Sequence, residues 1–151
     1  MTPIQVIYNY LDSLHFEYEA GKYWYGINAT WTGPDGSTQP SPILQMRLLE
    51  EEKAQPNQRM LLIKTVSAGS GTRFTSDPVF VFAVMGKAGE PPIFAETYAE
   101  LLYAALLRFD EYGCVISTKP IGRIGGPYKQ ASGRCIYDME FIISVDSGIM
   151  V

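Results

Sequence analysis

The spacing of apolar residues predicts two helices. In the first, a Thr2-x-x-Gln5 capping box with Pro3 at the first helical position precedes apolar residues at helical spacing. This predicts a helix at about 3–14. In the second, FAETYAELLYAALLRF (94–109), apolar residues recur every three or four positions. This second segment has the strongest helical pattern in the chain.

Six other segments have the composition or alternation of strands. They are 23–31, 43–49, 60–66, 79–85, 113–119 and 135–145. VFVFAVM (79–85) is apolar at seven consecutive positions, which predicts a central strand covered on both faces. The last segment alternates for eleven residues, so we expect it to cross the whole domain and to pair with 113–119 as a long hairpin.

These elements predict a single α+β domain, residues 1–151, with a mainly antiparallel sheet of five to six strands and two main helices packed on one face. Two helices cannot readily cover both faces of such a sheet. The leftover apolar surface around 79–85 therefore indicates a partner subunit. Alternatively, 20–31 folds over the sheet as a second layer.

Composition excludes several classes of protein. The formal net charge of −4 argues against a dedicated nucleic-acid binder. Cys114 and Cys135 are too few for a disulfide scaffold or a zinc site, and buried free thiols are the favoured interpretation. The N-terminal segment lacks the features of a secretion signal, and no apolar run reaches the ~18 residues of a membrane span. We expect a protein made in a reducing cytosol.

No catalytic, cofactor-binding or metal-binding residues are predicted. His15 is the one histidine, and its position after a helix favours a structural or exposed role. Gly86 and Lys87 do not fit a phosphate-binding loop, because a Walker motif needs a second glycine five residues earlier and a Ser or Thr after the lysine. Glu96 and Glu100 lie one helical turn apart. Without a cleft or a metal partner they are interpreted as a solvated helix face.

One segment stands out by its charge. Residues 112–137 contain four basic side chains, Lys119, Arg123, Lys129 and Arg134, and no acidic one. All sixteen acidic residues lie elsewhere. We expect a soft, glycine-rich loop that forms a positive pole on an acidic body and meets an acidic protein surface or a nucleic-acid backbone. A surface hairpin without a function is the alternative.

The order of elements and the closing segment PYKQASGRCIYDMEFIISV resemble the lambda-like tail terminator proteins of long-tailed phages, which are also described as minor capsid or tail completion proteins. The resemblance implies a non-enzymatic α+β protein without a cofactor. It implies a homo-hexameric ring on the end of the tail tube that stops polymerisation and provides the surface for head joining. Its partners would be itself, the tail tube protein and a head-side connector or neck protein, in a virion assembled in the host bacterial cytoplasm. Genomic DNA would pass through the lumen without specific binding, and no membrane is involved.

Two polar connections supply the candidate interface residues. They are Arg123, Tyr128, Lys129 and Arg134 in the basic segment, and Arg73 and Phe74 in 67–77. Three rival functions stay open: a head–tail connector or stopper of the same virion, a small ligand-binding α+β module, and an enzyme, which would have to use His15.

Overall fold

A computed structural model of the chain describes residues 3–20, 22–24, 30–32, 38–40, 43–45, 59–71, 75–109, 115–131 and 133–146. The helices are α1 (Pro3–Ser13) and α2 (Pro92–Leu107). The strands are β1 (Phe16–Glu19), β2 (Lys22–Trp24), β3 (Thr30–Thr32), β4 (Thr38–Pro40), β5 (Ile43–Gln45), β6 (Met60–Gly71), β7 (Thr75–Met85), β8 (Val115–Lys129) and β9 (Cys135–Asp146). Both helices therefore begin and end within about two residues of the predicted bounds.

The main sheet has the order β5-β6-β7-β9-β8. Strands β6, β7, β9 and β8 are antiparallel, and the three-residue β5 joins β6 in parallel at one edge. The predicted α+β class is confirmed. The predicted number of strands in a mainly antiparallel sheet, five to six, is slightly more than the four antiparallel strands that the structure shows. Strand β7 is central, as its uninterrupted apolar run predicted.

The early part of the chain differs from the prediction. The pairs β1–β2 and β3–β4 form separate two-stranded sheets. The predicted strand over 23–31 is seen only at its two ends, in β2 and β3, and residues 25–29 lie outside the described residues.

Both helices pack on one face of the sheet, as predicted. This core is formed by apolar side chains that are almost fully buried: Val6, Ile7, Tyr10, Leu11, Leu61, Ile63, Phe80, Phe82, Val84, Tyr98, Leu101, Leu102, Leu106, Val115, Tyr137, Met139, Phe141, Ile143 and Val145. The alternating residues of β9 supply the middle of this face. The Tyr10 hydroxyl donates a 3.0 Å hydrogen bond to the Ala105 carbonyl, which joins α1 to α2.

The opposite face is covered in part. A smaller buried cluster, made of Met60, Leu62, Ala83 and Met85, closes one end of it. Val79 and Val81, in the middle of β7 and at the other end of the apolar run 79–85, are half-buried. Complete coverage of 79–85 is therefore confirmed at one end only, and a partner subunit on this face stays a prediction.

The closing hairpin differs most from the prediction. Strand β8 does not end near residue 119 but continues to Lys129, and β9 begins at Cys135. Register shifts near Gly125 show that the glycines are placed at bulges in a paired strand. A soft loop over the basic segment is therefore wrong, because glycine and proline inside a strand mark irregular pairing as well as loops.

An ion pair fixes the start of β6 to the connection between β7 and α2. Arg59 forms a salt bridge with Glu90, and its Nε donates to the same carboxylate at 3.0 Å. The Lys87 backbone N–H donates to that carboxylate at 3.0 Å. Burial alone would raise the pKa of Glu90, but the hydrogen bonds from Arg59 and Lys87 outweigh burial and lower the pKa.

Candidate functional site

A groove of about 430 Å³ lies between α2 and β8. It is lined by Glu96, Glu100, Tyr103, Arg123, Ile124, Gly126 and Tyr137. Its volume falls within the ~300–1,000 Å³ of small-ligand sites. We call it the α2–β8 groove.

The two long walls of the α2–β8 groove carry opposite charges. Glu96 and Glu100 are one turn apart on α2, so both carboxylates lie on the same helix face. Arg123 lines the groove from β8 and makes no ion pair within 4 Å among the described residues. Glu96 and Glu100 are both exposed, in agreement with their interpretation as a solvated helix face, and they line the groove from that face.

Tyr137 forms the buried side of the groove. Only 5% of this residue is exposed. Burial, and after it the neighbouring ionisable groups Glu96, Cys135 and Glu100, raise the pKa of the Tyr137 hydroxyl. No hydrogen bond to this hydroxyl is formed by the residues that the structure describes. Among the described residues, the buried side-chain polar atoms without a hydrogen-bond partner are the Tyr98 hydroxyl and Gln130 Oε1, and the Tyr137 hydroxyl is not one of them.

Packing between helix and strand holds the groove in shape. The Tyr103 hydroxyl donates a long 3.4 Å hydrogen bond to the Gly122 carbonyl on β8. Gly126 has a φ of 120°, and a Cβ at this position would lie 2.6 Å from the Ile136 carbonyl oxygen. Only glycine allows this close approach of β8 to β9.

The predicted interface residues of the basic segment separate into two environments. Arg123, Tyr128 and Lys129 are exposed on β8, and Tyr128 retains 53% of its accessible surface. Arg123 lines the α2–β8 groove, whereas Tyr128 and Lys129 lie at the turn end of the strand, opposite Ile136 and Cys135. Their role as contacts to a partner stays a prediction.

Arg134 requires a correction. It was predicted to be an exposed loop contact, but only 1% of it is exposed. Its Nε donates a 2.9 Å hydrogen bond to the Gly86 carbonyl. The Gly86 N–H in turn donates to the Cys135 carbonyl at 3.0 Å. The side chain therefore fastens the hairpin turn to the end of β7, and in this conformation it is not available to a partner.

The other candidates are placed as follows. Arg73 and Phe74 lie outside the described residues, as does Cys114. Cys135 is a buried free cysteine, as predicted. His15 is exposed just after α1. The described residues contain no group of three or more His, Cys, Asp or Glu side chains that could hold a metal ion.

Sequence reasoning did not assign a site to the carboxylates or to Tyr137. The spacing of Glu96 and Glu100 was visible, but what they face depends on the extension of β8 to Lys129. The alternation of β9 placed Tyr137 on the core side without revealing that the groove opens beside it.

Comparisons with known proteins add no family. A scan against protein-family models found no match, and a search of curated proteins found no significant match. Neither α1 nor α2 has the length and apolar character needed to span a membrane. The structure itself shows an α+β fold with a four-stranded antiparallel sheet and two helices.

Proposed function

We propose that this chain is a non-enzymatic structural subunit that forms a ring on the end of a phage tail tube. In this role it stops polymerisation of the tube and provides the surface that the head joins. Its partners are further copies of itself, the tail tube protein and a head-side neck protein. Genomic DNA passes through the lumen of the ring without specific binding.

One observation carries the proposal beyond the resemblance: β8 is a fifteen-residue strand at the edge of the main sheet. Among the described residues it pairs with β9 alone. An edge strand presents unpaired backbone groups that can join another chain. Ile121 and Tyr128, 41% and 53% exposed, add apolar contact area to this edge.

Charge supports contacts between copies. Lys119, Arg123 and Lys129 are exposed on β8, whereas the whole chain has a net charge of −4. A basic edge on an acidic body favours head-to-tail contact, in which the edge of one copy meets an acidic surface of the next. Contacts of this heterologous type close into rings when the rotation fits.

The direct test is light scattering on the purified protein, alone and with tail tubes. A stable hexamer, or a 16.8 kDa monomer that becomes a stoichiometric cap on tube ends, supports the proposal. A monomer that ignores tubes overturns it. Binding to DNA-filled heads instead of tube ends would make the chain a connector or stopper.

Two double variants localise the contact. Tyr128→Ala with Lys129→Glu changes the edge strand, and we expect loss of ring or cap formation with the fold retained. Lys64→Glu with Val66→Ala is the matched control, since both side chains are exposed on β6. If the two double variants reduce ring or cap formation equally, β8 is not part of the interface.

A further inference from the structure

The sheet face opposite the helices has an apolar strip at its centre. One end of this face is covered, since Leu62 and Ala83 belong to a buried cluster. Beyond that cluster, Val79 and Val81 in β7 and Ile142 in β9 are only half-buried. Val79 and Ile142 are direct partners across the two strands, so these apolar side chains adjoin one another. A strip of this kind in the middle of a sheet favours contact with a partner.

Two opposite charges flank the strip at the same level of the sheet. Lys64 on β6 is directly opposite Val81, and Val81 is directly opposite Glu140 on β9. Lys64 and Glu140 are exposed, and each follows a residue of the helix-covered core, Ile63 and Met139, so both side chains lie on the other face. Among the described residues neither charge forms an ion pair. We call this surface the open-face patch, and its members are Lys64, Val79, Val81, Glu140 and Ile142.

We propose that the open-face patch binds the same patch of a second copy of this chain. Strands β6 and β9 are the two neighbours of β7, so a two-fold axis along β7 exchanges them. The rotation places Lys64 of each copy opposite Glu140 of the other and packs the two Val81 side chains on each other. Such an isologous contact makes each interaction between charges twice.

The dimensions of packed sheets allow this contact. Neighbouring strands are about 4.8 Å apart, so the backbones of Lys64 and Glu140 lie about 10 Å apart on either side of Val81. Two packed sheets are also about 10 Å apart, a distance that a lysine and a glutamate side chain span together. A partner of uniform charge would be attracted by one of the two groups and repelled by the other. The pattern therefore favours a second copy, which attracts at both positions.

The contact is small and does not use the edge of β8, so it does not rest on the proposed ring. Four strands about 19 Å wide, over six residues or about 20 Å of their length, give roughly 400 Å² per copy. A total of about 800 Å² is below the ~1,200 Å² of stable complexes. We therefore expect a weak dimer that forms at high protein concentration.

The test is sedimentation velocity of the full chain from low-micromolar to high-micromolar concentration. The chain carries Tyr128→Ala with Lys129→Glu, so that the edge of β8 does not contribute. We expect the average mass to rise from 16.8 kDa towards twice that value as the concentration increases. A mass of 16.8 kDa at every concentration overturns the dimer, whatever the wild type does at the ends of tail tubes.

Charge reversal assigns the contact to the open-face patch. Lys64→Glu and Glu140→Lys each bring like charges together at two places, so each change alone should weaken dimerisation by at least about tenfold. The two changes together restore opposite charges and should return the dissociation constant to within about threefold of the parent value. Glu96→Lys is the control, because it reverses an exposed charge on α2 and should change nothing. Circular dichroism verifies that each variant is folded. Dimerisation that survives the single changes, or that the combined change does not recover, refutes this arrangement.

Discussion

Replacing Phe141 with alanine is expected to cause a large loss of stability. The side chain is fully buried at the centre of β9, under α2. Its ring lies edge-on to Phe82, with 6.0 Å between ring centroids, and 5.5 Å from Tyr103. The substitution therefore removes contacts between the sheet and the helix layer and leaves a cavity between them.

The expected magnitude follows from burial. Truncating a fully buried phenylalanine costs about 3–5 kcal/mol. Of this, each aromatic pair contributes about 0.5–1.5 kcal/mol beyond the area that it buries. A domain of this kind has a free energy of unfolding of about 5–15 kcal/mol, so the loss is a large share of the total. With a urea slope of about 2 kcal/mol per molar, the midpoint should fall by roughly 1.5–2.5 M.

The assay is urea unfolding followed by circular dichroism. Ile142→Ala is the matched control, because residue 142 is the next along β9, points to the opposite face and is only half-buried. We expect the control to cost about 1 kcal/mol. Equal losses for the two variants, or a loss at Phe141 below about 1.5 kcal/mol, would refute the assignment of the core to the helix-covered face.

Three further changes test other parts of the structure. Gly126→Ala should cost about 1–3 kcal/mol in urea unfolding, since its φ is positive and a Cβ would lie 2.6 Å from the Ile136 carbonyl; an unchanged midpoint would contradict this. Tyr10→Phe removes the hydrogen bond from α1 to α2 and should lower the free energy of unfolding by about 0.5–1.5 kcal/mol in the same assay. An unchanged free energy of unfolding would contradict this prediction. Glu90→Gln should be less stable than the wild type at pH 7, and the difference should shrink as pH falls below 4.5. The reason is that Arg59 helps to hold the folded pKa below that ordinary value, so the stabilisation is lost once Glu90 is protonated; a gap that stays constant down to pH 3 would exclude the ion pair as its source.

Local patterns were sufficient to predict the helices and the main strands. The apolar spacing in 94–109 identified α2, and seven apolar residues in 79–85 identified the central strand. Both signals are strong because burial acts on every residue of the element. The count of strands was less accurate, since β5 is only three residues long and pairs in parallel.

The candidate site was harder to predict because it depends on pairing between distant segments. Glu96 and Glu100 line a groove only because β8 continues past residue 119. Arg134 shows the same limitation. A charged residue in a glycine-rich segment is usually exposed, yet this one is buried because the hairpin turn folds against the carbonyl of Gly86. No local pattern carries that information.

The paired state of β8 changes the physical basis of the proposed assembly. A mobile basic loop would lose conformational entropy when it ordered on a partner, and this loss would weaken binding. In the structure the segment is already hydrogen-bonded to β9, and Gly126 allows the two strands to approach closely. Its turn is fastened to the body through Arg134. The edge is therefore formed before any partner arrives, so most of the ordering cost has been met during folding. Contacts through Tyr128 and Lys129 would then add to a preformed surface, and weakening the Arg134 anchor should reduce assembly without altering a single exposed residue.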